Sequence, residues 1–198
     1  MLRIGVTGGI GTGKTVVCQI FKTLGAPIYN ADARSKALYT QNAELKAALI
    51  TRFGQDVYEN HELNRDFLGS KVFNNDAELK WLNSLVHPLI FKDYETWCKQ
   101  HEKALYTIKE AAIMIESGSH KNVDVLVAVA APEKLRIKRV MARDGISEAM
   151  VKARMAKQMP QEDLITQCHF VIQNDENESL ISQVLALHKR FIKPEFRL

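Results

Sequence analysis

The first hydrophobic run of the chain, Leu2 to Thr7, is short and broken only by Arg3 and Gly5, and it predicts a buried strand. Beyond a cluster of glycines, Val17, Ile20, Phe21 and Leu24 recur at helical spacing, which predicts a helix over 14–24 with Gly25 as its stop. Pro27-Ile28-Tyr29 reads as a second short strand running into Asn30-Ala31-Asp32. From there to about residue 101 the pattern is helical throughout. Asn42, Asn64 and Asp76 stand where they would cap helices over 43–52, 65–73 and 77–86, and His87-Pro88 would break or restart the last of these. Strand patterns return at 106–115, 123–131 and 169–172, with helices expected over 132–143, 147–158 and 178–191 and a loose tail from Lys193. Short strands alternating with helices indicate a parallel sheet with crossovers, and the helical stretch over 33–101 interrupts that alternation as an insertion.

Composition narrows the class. A chain of 198 residues, 46% of them hydrophobic, suits one domain, or one with a substantial insertion, and can build a real core. No apolar stretch is long enough to span a bilayer, and the start does not read as a signal peptide, because glycines and Lys14 interrupt it. Cys18, Cys98 and Cys168 are far apart, which fits reduced thiols in a cytoplasmic protein, and the six histidines show no metal-ligand spacing. A net charge of +4 suits an anionic small molecule and gives no ground for a nucleic-acid partner.

The candidate chemistry lies in the glycine cluster. Gly8-x-x-x-x-Gly13-Lys14-Thr15 satisfies the P-loop pattern, with a strand expected before it and an amphipathic helix after it. Bare backbone lets N–H groups close around phosphate oxygens, and the helix adds its positive N-terminal end. Gly9, Gly11, Thr12, Gly13, Lys14, Thr15 and Val16 are therefore expected to hold a nucleoside triphosphate, with Lys14 on the terminal phosphates and the Thr15 hydroxyl on Mg²⁺. No Asn-Lys-x-Asp guanine-reading motif occurs, and the chain is short for a mechanochemical ATPase. A small kinase of nucleotide-like acceptors fits the length and the insertion, while a nucleoside or nucleotide kinase and a non-catalytic ATP-binding regulator stay open.

A resemblance then becomes specific. Thr7-Gly8-Gly9-Ile10-Gly11-Thr12-Gly13-Lys14-Thr15 resembles the opening of the dephospho-CoA kinase family, typically TGGIGSGKS. Ile28-Tyr29-Asn30-Ala31-Asp32 stands where that family has IDAD, followed by Leu63-Asn64-Arg65, Val72-Phe73 and His87-Pro88-Leu89-Ile90. Glu116 matches the glutamate closing the family's PLLFE stretch. Arg136–Asp144, Arg154, Gln158-Met159-Pro160 and Val171-Ile172-Gln173-Asn174 match its later blocks in order. The chain departs from the pattern at Asn30, an aspartate in the family, at Lys36, commonly arginine, at Ala112, a proline, and at His169, an aspartate. The P-loop alone is shared by many families; the ordered combination is not.

The resemblance implies a three-layer α/β P-loop kinase fold with a parallel sheet. Its nucleotide-binding core would take residues 1–32, 102–133 and 161–198, with a helical acceptor insertion at 33–101 and a basic helical lid at 134–160. It implies ATP and Mg²⁺ as co-substrate and cofactor, dephospho-CoA as acceptor, and a cytoplasmic monomer or weak homo-oligomer. Asp32 would orient or deprotonate the acceptor hydroxyl, the competing reading being a helix N-cap for 33–39. Glu116, at the end of a buried strand, would face Mg²⁺ or the acceptor. Arg136, Arg139 and Arg143 share one helix face, and Arg139 and Arg143 are expected to neutralise the transferring phosphoryl group. Asn174 corresponds to an adenine-side position. Lys36, Arg65 and His87 are the acceptor-side candidates, and Trp81 and Trp97 read as core.

Overall fold

Val125–Ala130 reads VLVAVA, with no alternation, and all six residues are buried. A strand of that kind needs cover on both faces, which a parallel sheet with crossover helices supplies. A computed structural model of the protein describes residues 1–72, 75–193 and 196 and places this strand in such a sheet. In chain order the elements are β1 (Leu2–Thr7), α1 (Lys14–Thr23), β2 (Ile28–Asn30), α2 (Ala31–Gln41), α3 (Ala43–Phe53), the short strands β3 (Tyr58–Glu59) and β4 (Glu62–Leu63), α4 (Arg65–Val72), α5 (Asp76–Gln100), β5 (Tyr106–Glu110), β6 (Val125–Ala130), α6 (Glu133–Asp144), α7 (Glu148–Met155), α8 (Gln161–Thr166), β7 (Phe170–Gln173) and α9 (Leu180–Phe191). They divide between two compact units, Met1–Asn30 with His101–Leu198, and Ala31–Gln100. Phe73 and the end of the expected tail, apart from Phe196, lie outside the described residues.

The first unit carries the sheet, ordered β2-β5-β1-β6-β7 with every pair parallel. Ile4, Val6, Ile108, Val127 and Val129 pack with Val17 and Phe21 of α1 and with Val184, Leu187 and Phe191 of α9. Each such side chain stabilises the fold by roughly 1.5–3 kcal/mol on burial. The register sets Asn30 beside Glu110, and Glu110 beside Val6, at the carboxyl edge of the sheet. Ligands of open α/β sheets bind at that edge.

The second unit is helical, around Leu45, Leu49, Val57, Leu68, Val72, Leu82 and Val86. Asn42 Oδ1 accepts from Leu45 N at 2.8 Å and Asn64 Oδ1 from Phe67 N at 3.0 Å, so both expected caps are in place. Trp81 packs in this core, edge-on to Phe53 with ring centroids 5.5 Å apart.

Several expectations are corrected. The helix after β2 starts at Ala31, so Asp32 lies inside its first turn and is not its N-cap. Asn75, not Asp76, caps α5, accepting from Ala77 N and Glu78 N. His87-Pro88 does not break that helix, which runs 25 residues with Pro88 inside it, and His87 is helical and exposed. An interior proline costs about 3 kcal/mol; buried Leu82 and Val86 before it and Tyr94 and Cys98 after it hold the helix together. The strand expected over 106–115 ends at Glu110, its last residue in register with β1, and the chain then turns, with Ser117 N on Ile113 O and Gly118 N on Ile115 O. Glu116 therefore closes no strand. The β3–β4 hairpin, with Asn60 and His61 in the left-handed region, and helix α8 were not expected.

Candidate active site

Between β1 and α1, Gly8, Gly11 and Gly13 take φ of +151°, +80° and +92°, conformations that L side chains rarely adopt. Space excludes a side chain as well. A Cβ on Gly8 would overlap the Val129 carbonyl and one on Gly11 the Arg136 backbone, while one on Gly9 or Gly13 would displace the Arg136 guanidinium or the Asn174 amide. The loop's own neighbours thus demand glycine, in addition to any ligand.

Those neighbours also orient the peptides. Arg136 Nε donates to Ile10 O at 3.0 Å, and Asn174 Nδ2 donates to Thr12 O at 2.8 Å. In a trans peptide the N–H points opposite to the C=O, so the amides of Gly11 and Gly13 turn to the other side, into the loop. Lys14 Nζ donates to Gly8 O at 2.7 Å and Gly9 O at 3.1 Å. With the N-terminus of α1 behind it, this is a concave nest of donors beside a cation, a site for phosphate oxygens.

Next to it, Thr15 Oγ1 donates to Glu110 Oε1 at 2.8 Å, and Asn30 Nδ2 donates to Glu110 Oε2 at 3.0 Å. Glu110 is 7% exposed, and both its oxygens are bonded. The Cys18 thiol is pushed up by burial first and by the Glu110 charge second, against Lys14, so it is held neutral. Among the described residues no three His, Cys, Asp or Glu are grouped to hold a metal ion. A hydroxyl and a carboxylate side by side are hard oxygen ligands. That pair suits Mg²⁺, which is bound through one or two side chains together with substrate phosphates.

The three arginines of α6 separate. Arg136 is buried under the loop, and burial lowers the pKa of its guanidinium. Arg139 reaches Asn174 through Nη1 to O and Nη2 to Oδ1, both at 3.2 Å, so Asn174 joins it to the loop. Arg143 instead lies on Asp144, at 2.7 Å and 3.1 Å, and Arg154 reaches the same carboxylate at 2.9 Å. Arg143 first, then Arg154, hold that carboxyl below the usual range. Glu116 Oε1 accepts from Met159 N at 3.0 Å. It is Glu110 that stands against Thr15.

In the second unit, Asp32 and Lys36 fall four residues apart on α2 and are exposed. Arg65 opens α4 and acts electrostatically on the Tyr39 phenol, whose pKa burial raises and Arg65 draws down. Sequence reasoning missed Glu110, Asn30 as its donor, and Gln158, whose Oε1 accepts from Ile10 N at 2.8 Å. Glu110 left one weak signal: a lone acidic residue inside the strand pattern expected over 106–115. Arg136 shares its helix face with Arg139 and Arg143, and its contact with the Ile10 carbonyl has no signal in that spacing.

A parallel 2-5-1-6-7 sheet with this glycine loop at its carboxyl edge, a lysine and a threonine opening the next helix, and arginines facing the loop defines a P-loop kinase. The family model of dephospho-CoA kinase matches residues 2–179, and the chain belongs to that family. The dephospho-CoA kinase of Salinibacter ruber is 40% identical over 178 residues, 88% of this chain and 89% of that one. Among solved structures, a protein of Thermus thermophilus superposes with a TM-score of 0.86 at 28% identity, over 97% of this chain and 98% of its own. The dephospho-CoA kinase of Campylobacter jejuni superposes with 0.71 at 25%, over 95% and 96%.

Proposed function

We propose that the protein transfers the γ-phosphoryl group of ATP to the ribose 3′-hydroxyl of dephospho-CoA, giving CoA and ADP, the last step of coenzyme A synthesis. The family match over residues 2–179 carries this reading. It is supported by a phosphate loop whose carbonyls are turned onto Arg136 and Asn174.

Phosphoryl transfer asks the protein mainly for positioning and charge neutralisation. The Gly11 and Gly13 amides hold the phosphates, and Lys14 leaves the Gly8 and Gly9 carbonyls for the terminal phosphate oxygens. Thr15 and Glu110 would hold Mg²⁺, which when bound neutralises charge on the β- and γ-phosphates. Asp32 takes the proton of the 3′-hydroxyl as its oxygen attacks phosphorus and the bond to the bridging oxygen of ADP breaks. Arg139, on the nucleotide side with Asn174, and Arg143, released from Asp144, neutralise the moving charge. Lys36, Arg65 and His87 bind the acceptor. No described helix is long and apolar enough to cross a membrane, and we place the enzyme in the cytoplasm as a monomer or weak homo-oligomer.

The test is ADP release with Mg-ATP and no acceptor, dephospho-CoA, adenosine, AMP or CMP, with product mass confirmed. Turnover dependent on dephospho-CoA and yielding CoA is expected. Turnover only with a nucleoside or nucleotide would overturn the acceptor. Tight ATP binding without acceptor dependence would make the protein a regulator.

A further inference from the structure

Ile10, at the tip of the phosphate loop, is gripped from three sides. Its N–H donates to Gln158 Oε1 at 2.8 Å, and its C=O accepts from Arg136 Nε at 3.0 Å. Its side chain packs against Ile137, Val140 and Val151 of α6 and α7. The two peptides that meet at Ile10 are therefore fixed separately. Gln158 holds the Ile10 N–H outward, which turns the Gly9 carbonyl the other way, toward Lys14 Nζ at 3.1 Å and Thr12 Oγ1 at 3.0 Å. Arg136 holds the Ile10 carbonyl outward and so aims the Gly11 N–H into the cradle.

Arg136 reaches the loop from a helix, whereas Gln158 reaches it from the irregular segment between α7 and α8. That segment needs an anchor of its own. Glu116, on the turn after β5, supplies one by accepting from the Met159 N–H at 3.0 Å. Gln158 N is tied in turn to Met155 O at 3.0 Å. We infer that Gln158 is a positioning residue that sets the tip of the phosphate loop, and that Glu116 acts through it by fixing the segment that carries it. Without the Gln158 acceptor, the Gly9–Ile10 peptide is held from its carbonyl side alone, by Thr12 and Lys14, and it loses the Lys14 contact when that side chain moves to phosphate. Glu116 then matters to nucleotide binding without touching metal or acceptor. The inference rests on residues 8–15 as the triphosphate cradle and is independent of the acceptor's identity.

Gln158→Met removes the acceptor at nearly constant volume, while Gln158→Glu keeps an oxygen for the Ile10 amide. The full chain is titrated calorimetrically with ATP and with inorganic tripolyphosphate, in the absence of any acceptor, and Ile10 amide exchange is followed by NMR. Losing one neutral hydrogen bond should weaken both ligands roughly 3- to 10-fold in Gln158→Met. The Ile10 amide should exchange faster in that variant and regain its protection in Gln158→Glu. In turnover, the KM for ATP should rise while that for dephospho-CoA stays put. Wild-type affinity for tripolyphosphate in a folded Gln158→Met protein would overturn the inference, as would a loss confined to the acceptor. Should Gln158→Met fail to fold, Glu116→Ala decides: the same weakening upholds the relay, and unchanged affinity refutes it.

Discussion

Glu110→Gln keeps the size of the side chain and exchanges one carboxylate oxygen for an NH₂ group. In the native site both oxygens accept, one from the Thr15 hydroxyl at 2.8 Å and one from the Asn30 amide at 3.0 Å. A glutamine can serve only one of these donors. With its NH₂ toward Asn30, two donors face each other. With its NH₂ toward Thr15, the hydroxyl becomes an acceptor and its proton turns away, toward where a cation would take its lone pair. Either arrangement removes the negative charge and with it the charge assistance of both bonds; a hydrogen bond to a charged group is worth roughly 1.5–3 kcal/mol.

The effect should fall on the metal rather than on the nucleotide. The ratio of ATP dissociation constants in EDTA and in saturating Mg²⁺ measures the coupling between the two ligands. Isothermal titration of both proteins under both conditions gives that ratio directly. It should shrink by about 10- to 150-fold in Glu110→Gln, the equivalent of that hydrogen bond. In EDTA, ATP should bind as well or better, because a negative charge beside the phosphates has gone. A variant with the wild-type ratio and wild-type affinity in EDTA would remove Glu110 from the metal's surroundings.

Gly13→Ala forces a side chain into φ of +92° and onto the Asn174 amide, which is buried and bonded to Thr12 and Arg139. Strain of roughly 1–2 kcal/mol and a broken buried hydrogen bond of roughly 1–3 kcal/mol predict a loss of about 2–5 kcal/mol in urea unfolding of the nucleotide-free protein; less than 1 kcal/mol would contradict the packing argument. Asp32→Asn should lower kcat by roughly 10²- to 10⁴-fold with little change in the KM for dephospho-CoA, and near-normal turnover would end its role as base. Burial pushes the Cys168 thiol up to about 11. Its thiolate is scarce at pH 8 and grows tenfold per unit toward that value, so alkylation there should run about 100-fold slower than for an ordinary thiol; a rate that levels off below pH 9.5 would show the shift is absent.

What the sequence discloses follows the range of the interactions. The phosphate loop is legible because its residues are consecutive and its geometry is local. The Asn42 and Asn64 caps are legible for the same reason, since each closes on an amide three residues on. Asn75 takes the cap assigned to Asp76 because both are competent and adjacent, and local chemistry does not separate them. The end of β5 is different in kind. Ala111 to Ile115 stays apolar past Glu110, and pairing with β1, not hydrophobicity, stops the strand. Glu110, Arg136 and Gln158 gain their roles from Asn30 and Ile10, 80, 126 and 148 residues away. The i, i+3, i+7 spacing of Arg136, Arg139 and Arg143 says that they share a face and nothing about which of them meets a carbonyl.

Asn30 is the departure from the resembled pattern that this geometry explains. An aspartate there would set a second carboxylate where the Asn30 amide now lies, 3.0 Å from Glu110 Oε2. Two carboxylates at that distance cannot both stay ionised cheaply, and one of them is driven to hold a proton. With asparagine the contact becomes a donation to one carboxylate oxygen, while the other accepts the Thr15 proton. The negative charge at this edge of the sheet then rests on the strand next to β1, where the backbone fixes it against the first turn of α1. Asn30→Asp should for that reason not improve the enzyme. Across a pH series, ATP binding in Mg²⁺ should weaken toward acid more steeply in Asn30→Asp than in the native protein, because the carboxylate pair takes up a proton that the native contact does not require. A flat profile for the variant would mean that the Asn30–Glu110 contact does not govern the charge.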